Sequence, residues 1–353
     1  MSHPVNPLSS SPHHPTDSSD AAVQQGIHVQ SGASKLHHGG QLTQRALAWR
    51  LVGDPALPVV LVLGGISASR LVFGQDEGQR GWWNGIVGPG RALDSNRVRI
   101  LGIDYLGGSG LSSRPQPPAA FPNLSSFDQA DAIVDLLDHL GIGQLRAIVG
   151  ASYGGMVGLA LAQRHPQRLE RLVVISAGDR AHPMATAWRS VQRAMLRFGL
   201  AVGEPAQGIE LARALAMATY RSPEEFAARF RAQPHFEDGR AVFPVEEYLF
   251  SRGRDYATRY QLESFLCLSE SIDLHQVDAT RIPVHTDIVA VREDQLVPLA
   301  DLRALAARLP SAQLHEFSSL YGHDAFLKEA ERLKPVLSQL TAHTQRIEEH
   351  DSD

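Results

Sequence analysis

The stretch Ala147-Ile148-Val149-Gly150-Ala151-Ser152-Tyr153-Gly154 decides how this chain folds. An apolar run of strand type leads into a Gly-x-Ser-x-Gly motif, and an apolar segment with helical period follows at residues 156–161. Strand, sharp turn and helix in that order are typical of a nucleophile elbow, where the serine is strained and small neighbours let strand and helix approach closely. Ser152 is therefore the candidate nucleophile, with the N-terminus of the following helix beside its hydroxyl.

The composition limits the classes of function. The chain has 353 residues, 43% of them hydrophobic, which suffices for one large α/β domain or two modest ones. A net charge of −5 gives no cationic surface for nucleic acid or an anionic membrane. The sequence has no signal-peptide pattern and no apolar run of roughly 20 residues. We therefore expect a cytoplasmic protein that binds neither nucleic acid nor a membrane. The single cysteine, Cys267, excludes a multi-cysteine zinc site, and we expect no bound metal or resident cofactor.

Apolar runs of strand type recur along the chain and alternate with helical patterns. They lie at residues 59–63, 98–103, 146–149, 172–175, 284–291 and, more weakly, 313–317. A helical pattern at residues 128–137 has Gly141 placed to stop it. This alternation predicts an α/β fold with a mostly parallel central sheet and helices on both faces.

The alternation is interrupted between residues 180 and 278, where the pattern is helical and contains no strongly buried strand. We interpret this segment as a helical lid inserted into a core formed by residues 41–179 and 279–342. Insertions at the carboxyl ends of parallel strands are where active sites assemble. Residues 1–40, rich in Ser, Pro, His and Gly, are predicted to be a disordered tail, and residues 343–353 an acidic solvated end.

Two further residues complete a candidate catalytic triad. A serine hydroxyl is a weak nucleophile at neutral pH, so it needs a base, and the base needs an acid that orients it. In sheets with an elbow serine, the chain order is Ser, then Asp or Glu, then His. Asp294 and His323 follow the last two strand patterns in that order, with Glu293 as the competing acid. We predict a triad of Ser152, Asp294 and His323.

The same chemistry requires two backbone N–H groups that stabilise an oxyanion. The loop Gly64-Gly65-Ile66-Ser67 follows the first central strand, which makes the N–H of Ile66 one candidate donor. The N–H of Tyr153 is the other. The two glycines are equally compatible with a plain tight turn.

With these residues in hand, the chain resembles the homoserine O-acyltransferase family of α/β-hydrolase-fold enzymes over residues 36–340. Four stretches carry the likeness: Gly81-Trp82-Trp83-Asn84-Gly85-Ile86-Val87-Gly88-Pro89-Gly90-Arg91-Ala92-Leu93-Asp94, Leu106-Gly107-Gly108-Ser109, Gly150-Ala151-Ser152-Tyr153-Gly154-Gly155-Met156 and Gly322-His323-Asp324-Ala325-Phe326-Leu327. The first and the last of these stretches are specific to that family.

The resemblance implies a reaction and a set of roles. An acyl group passes from an acyl-coenzyme A co-substrate to Ser152 and then to the side-chain hydroxyl of L-homoserine, in methionine biosynthesis. The resemblance further implies that Arg213 and Tyr220 hold the carboxylate of the acceptor and that Asp324 pairs with its ammonium group. It also implies a homodimer formed through the lid.

Several alternatives stay open at this point. Departures from the family pattern lie near the acyl pocket, so acetyl and succinyl donors are both possible; they occur in the loop Gly64-Gly65-Ile66-Ser67-Ala68, at Asp104 and at Arg189. Serine is one methylene shorter than homoserine, and one methylene changes binding by only ~1–3 kcal/mol, so a serine O-acyltransferase of cysteine biosynthesis is an alternative. An ester hydrolase would share the same triad. Arg189, Arg193 and Arg197 form a cationic stripe at helical spacing that suits coenzyme A phosphates, a succinyl carboxylate or solvent alone.

Overall fold

The computed structural model of the chain describes residues 22–74, 80–117 and 121–341. The strands of these residues are β1 (Val23–Lys35), β2 (Gln41–Val52), β3 (Val59–Leu63), β4 (Val87–Gly88), β5 (Leu93–Asp94), β6 (Arg99–Ile103), β7 (Ala147–Ala151), β8 (Arg171–Ile175), β9 (His235–Glu237), β10 (Arg240–Val242), β11 (His285–Val291) and β12 (Ala312–Phe317). The α-helices are α1 (Ser126–His139), α2 (Tyr153–Arg164), α3 (Pro183–Ala201), α4 (Pro205–Tyr220), α5 (Pro223–Arg229), α6 (Pro244–Ala257), α7 (Leu262–Asp273), α8 (Leu299–Arg308) and α9 (Ala330–Leu337).

The central sheet has eight strands in the order β1-β2-β6-β3-β7-β8-β11-β12. All neighbours from β6 to β12 are parallel, whereas β1 and β2 are antiparallel additions at one edge. Side chains of β3 alternate between two buried clusters, with Leu61 and Leu63 in one and Val60 and Val62 in the other. Because successive strand residues point to opposite faces, both faces of the sheet are covered. The predicted α/β fold with a mostly parallel sheet is confirmed.

The predicted disordered tail of residues 1–40 is wrong for its second half. Strand β1 begins at Val23 and pairs with β2 along most of its length. Its side chains are largely exposed and many are polar, so no apolar run marks it as a strand. Edge strands next to solvent lack the continuous hydrophobic pattern of central ones. Residues 1–21 and the acidic end at 343–353 lie outside the described residues.

The segment between β8 and β11 leaves the sheet at its carboxyl end. It holds the five helices α3 to α7 together with the small hairpin of β9 and β10. Leu196 of α3, Ile209 of α4, Tyr256 of α6 and Phe265 of α7 form a buried cluster of their own. The hairpin strands contain only three residues each and are mostly exposed, which explains why the sequence pattern gave no sign of them. Among the helices of the described ranges, none combines the length and apolar character of a membrane span.

Candidate active site

Ser152 occupies the turn between β7 and α2 with a positive φ of 54°. A non-glycine residue there is strained, so its surroundings must hold it. A Cβ placed on Gly150 would lie 2.3 Å from the Gly154 carbonyl oxygen, and one on Gly154 would lie 2.4 Å from the carbonyl oxygen of Leu63. Only glycine therefore permits this close approach of strand, turn and helix. The predicted elbow is present at Ser152.

His323 and Asp294 complete a row of hydrogen bonds with Ser152. The imidazole Nε2 of His323 lies 2.9 Å from Ser152 Oγ, and its Nδ1 lies 2.8 Å from Asp294 Oδ2. The other carboxylate oxygen of Asp294 accepts the backbone N–H groups of Leu296 and Val297 at 2.9 and 3.0 Å. These bonds fix the carboxylate, which in turn fixes the orientation of the imidazole.

The competing acid, Glu293, accepts the backbone N–H of Ser319 at 2.8 Å, whereas the His323 imidazole is hydrogen-bonded to Asp294. Burial lowers the pKa of His323, but the charge of Asp294 and its hydrogen bond to the imidazole raise this pKa. The net effect is a pKa of His323 above the ordinary value. A more basic imidazole is a better acceptor for the Ser152 proton.

A cavity of about 320 Å³ opens over Ser152 and His323. Its floor comes from the elbow and from the loop after β3, and its roof comes from helices of the segment between β8 and β11. Both candidate oxyanion residues, Ile66 and Tyr153, line it. Tyr153 is the first residue of α2, where backbone N–H groups have no acceptor within the helix. A Cβ on Gly65 would lie 3.9 Å from Ser152 Oγ, so this loop passes close to the serine hydroxyl.

Arg213 brings a positive charge to the wall of the same cavity. Its Nη1 donates to the Tyr220 hydroxyl at 3.2 Å, and its guanidinium lies 4.5 Å from the ring centre of Tyr256. Burial lowers the pKa of Arg213, but Tyr220, Tyr256 and Asp324 raise it by more, so the net shift of this pKa is upward. No carboxylate within the described ranges forms an ion pair with this guanidinium, which leaves it available to an anionic ligand.

Comparison with known proteins identifies the family of this chain. The family model for the α/β hydrolase fold matches residues 58–330. A homoserine O-succinyltransferase from Xanthomonas campestris is 45% identical over 86% of this chain and 80% of its own length. The chain belongs to the homoserine O-acyltransferase family. A serine O-succinyltransferase from Litchfieldella anticariensis is 32% identical over 89% of this chain and 97% of its own length.

A solved member of the homoserine O-acyltransferase family shares the fold. The crystal structure of the homoserine O-acetyltransferase from Bacillus anthracis superposes with a TM-score of 0.82 at 16% identity, over 91% of this chain and 98% of that one. At that identity the likeness concerns the fold alone.

Asp324 lies next to His323 in sequence and lines the cavity. Its Oδ2 accepts a hydrogen bond from Arg221 Nε at 3.1 Å. The carboxylate is thus partly neutralised, and its remaining oxygen is the one that could meet an ammonium group. That role stays a prediction.

The cationic stripe on α3 turns out to bind acidic residues of α7. Arg189 and Arg193 both contact Asp273 at 2.6 Å, and Arg197 contacts Glu270 at 2.5 Å. The stripe therefore joins two helices, and this pairing leaves less of its charge for a phosphate or a succinyl carboxylate. Another departure from the family pattern, Asp104, accepts the backbone N–H and a guanidinium N–H of Arg70. It fixes the loop that follows β3.

Two features of the cavity were missed from the sequence. The Oγ atom of Ser176 is buried and has no hydrogen-bond partner among the residues that the structure describes, and Ser176 has a positive φ of 50° beside the elbow. The Tyr256 hydroxyl lies 2.9 Å from Ser67 Oγ, across 189 residues of sequence. Serine and tyrosine are common residues, and nothing in local sequence links such distant positions.

Proposed function

We propose that this chain is an acyl-CoA-dependent L-homoserine O-acyltransferase of methionine biosynthesis that works through an acyl-Ser152 intermediate. The observation that carries the proposal is Arg213, a guanidinium without a carboxylate partner among the described residues, on the wall of the cavity that holds Ser152 and His323. The 45% identity to a homoserine O-succinyltransferase supports homoserine as the acceptor.

In the first half-reaction, His323 Nε2 takes the proton of Ser152 as its Oγ attacks the thioester carbonyl. The negative charge on the carbonyl oxygen is stabilised by the N–H groups of Ile66 and Tyr153. The carbon–sulfur bond then breaks, and His323 gives its proton to the departing thiolate. Coenzyme A leaves and the acyl group stays as an ester of Ser152.

In the second half-reaction, the hydroxyl of homoserine attacks this ester and loses its proton to His323. The ester bond to Ser152 breaks, and the serine oxygen recovers the proton from His323. One base at one position therefore serves both halves of a ping-pong cycle. Its hydrogen bonds to Ser152 and Asp294 hold it in the orientation that both steps need.

The acceptor is selected by its two charges. Arg213 and the Tyr220 hydroxyl bind the carboxylate, and Asp324 binds the ammonium group. Tyr220 also lies beside the base, with 6.0 Å between the ring centres of Tyr220 and His323. A carboxylate held by Arg213 and Tyr220 therefore places the rest of the acceptor near the acyl-serine.

Serine is the second candidate acceptor, because the chain is also 32% identical to a serine O-succinyltransferase. The test incubates the purified protein with acetyl-CoA or succinyl-CoA, with homoserine, serine or no amino acid, and follows the free thiol. We expect slow release with acyl-CoA alone, strong stimulation by homoserine and little by serine. Equal rates without an amino acid would make the protein a hydrolase, and a preference for serine would move it to cysteine biosynthesis. The comparison of the two thioesters identifies the donor.

We also propose that two copies associate through α3. Six residues of this helix, alternately three and four positions apart, are exposed in the single chain: Met184, Ala187, Val191, Ala194, Phe198 and Ala201. Phe198 alone leaves 64% of its surface exposed. This spacing is that of a helix-pairing seam, and a two-fold axis would bury the same face of both copies.

A further inference from the structure

The loop after β3 is held from two sides. On the core side, the carbonyl oxygen of Gly64 accepts the Gly154 N–H at 2.9 Å and the Tyr105 hydroxyl at 2.7 Å. On the opposite side, the Tyr260 hydroxyl donates to the Ser67 carbonyl at 2.6 Å. The Tyr256 hydroxyl lies 2.9 Å from Ser67 Oγ.

The two tyrosines stack on each other. Their rings are stacked with 3.8 Å between centres and 8° between planes. Tyr256 is buried in the hydrophobic cluster of α3, α4, α6 and α7. Ile66, which lies between Gly64 and Ser67, packs against that same cluster and also against the core. The loop that carries the Ile66 N–H is therefore held from the side of α6 and Tyr260 as well as from the core.

We propose that Tyr256 and Tyr260 are positioning residues that set the Ile66 N–H for the oxyanion, and that Tyr256 links this loop to acceptor recognition by Arg213. The inference rests on the proposed function of Ile66 as an oxyanion donor. Neither phenol needs to contact the reacting atoms, since both act through Ser67. The link to the acceptor is the Arg213 guanidinium, which lies over the ring of Tyr256.

Single-turnover acylation of Ser152 tests the inference without the acceptor. Removing one oxyanion donor costs roughly 10²–10³-fold in rate, so loosening a donor in Tyr260→Phe should slow acylation by about tenfold or more. The same loss is expected with succinyl-CoA, acetyl-CoA and the small ester p-nitrophenyl acetate, because all three form the same oxyanion. The KM for homoserine should stay unchanged in Tyr260→Phe, since no acceptor contact is removed.

Tyr248→Phe is the matched control. Tyr248 lies on α6, the helix that carries Tyr256, and its ring contacts Phe230 and Arg229. We expect wild-type acylation from this variant. A slower reaction with acyl-CoA but not with the ester in Tyr260→Phe would mean that Tyr260 contacts coenzyme A, and it would overturn the positioning role.

A double-mutant cycle separates the two bonds to Ser67. Tyr256→Phe and Ser67→Ala remove the same hydrogen bond, so their effects on acylation should be non-additive. Tyr260→Phe breaks a hydrogen bond to the main-chain carbonyl of Ser67, so its effect on acylation should add to the effect of Ser67→Ala. Additive effects of Tyr256→Phe and Ser67→Ala, or wild-type acylation in both tyrosine variants, would contradict the inference.

Ser152→Ala distinguishes this failure from that of the proposed function. If Ser152→Ala is inactive while both tyrosine variants acylate normally, only the positioning role fails. If Ser152→Ala retains activity near that of the wild type, the proposed function itself fails.

Discussion

Ser152 has a strained backbone conformation, and this conformation positions its hydroxyl. A non-glycine residue at φ 54° costs on the order of 1–3 kcal/mol, which neighbouring interactions must offset. Its N–H donates to the Ile175 carbonyl at 2.9 Å, and the tight glycine contacts on both sides leave it no room to relax. This backbone conformation places the Oγ atom at the end of the sheet, 2.9 Å from Nε2 of His323.

The pH dependence of the reaction should follow the pKa of His323. The proposed mechanism requires the neutral imidazole of His323, and Asp294 raises the pKa of that group. We expect kcat/KM to fall with decreasing pH at a pKa above the ordinary histidine value. In Asp294→Asn the charge is gone and burial dominates, so this limb should move to lower pH, while the plateau falls by up to ~10⁴-fold. An acid limb that did not move would show that another group titrates.

Arg213 offers a second prediction at this scale. In the proposed function Arg213 binds the acceptor carboxylate, so Arg213→Ala should remove a charged hydrogen bond worth about 1.5–3 kcal/mol. The kcat/KM for homoserine should fall accordingly, whereas single-turnover acylation by acyl-CoA should remain close to wild type. Equal losses in both measurements would place Arg213 on the donor side.

Among the secondary-structure elements, α3 and α7 are joined by charge. Asp273 lies between Arg189 and Arg193, and these three side chains are at most 12% exposed. Burial raises the pKa of Asp273, but its bonds to the two arginines lower it, and the net shift is downward. The helix pair thus depends on an ionised carboxylate.

Asp273→Ala should destabilise the protein strongly. It removes the carboxylate that Arg189 and Arg193 share, and breaking a largely buried pair costs about 3–5 kcal/mol. Chemical unfolding of the variant measures the loss. The matched control is Glu270→Ala on the same helix, whose partner Arg197 is 58% exposed, so that pair should contribute only about 0–1 kcal/mol. Similar losses in both variants would contradict the assigned role of Asp273.

The elements differ in how far they could be predicted, and burial explains the difference. Central strands such as β3 and β7 are apolar along their whole length because both faces of the sheet are covered. Strand β1 lies at the edge and has no such pattern. Asp294 and His323 could be located because chain order and strand ends fix their positions. The contact of Tyr256 with Ser67 depends on how α6 packs on the loop, which no local pattern encodes.

At the scale of the whole molecule, the exposed seam of α3 bears on assembly. Phe198→Glu places a charge within the apolar seam, where pairing of two copies would bury it. We expect the wild type to run as a dimer in light scattering and this variant as a monomer. Arg229→Glu, on α5, serves as the control, because Arg229 does not lie on the seam. A wild type that is monomeric at all concentrations would remove the basis of this proposal.

Strand β1 has a practical consequence for anyone who shortens the chain. A protein begun at residue 41, where the composition changes, would lack the partner that covers β2. The open N–H and C=O groups of β2 would then form a long bare edge beside Trp49, whose ring normally packs on Gly26. Such edges recruit strands from other molecules. A truncation at that point should therefore yield aggregated material, even though every residue of the active site is retained.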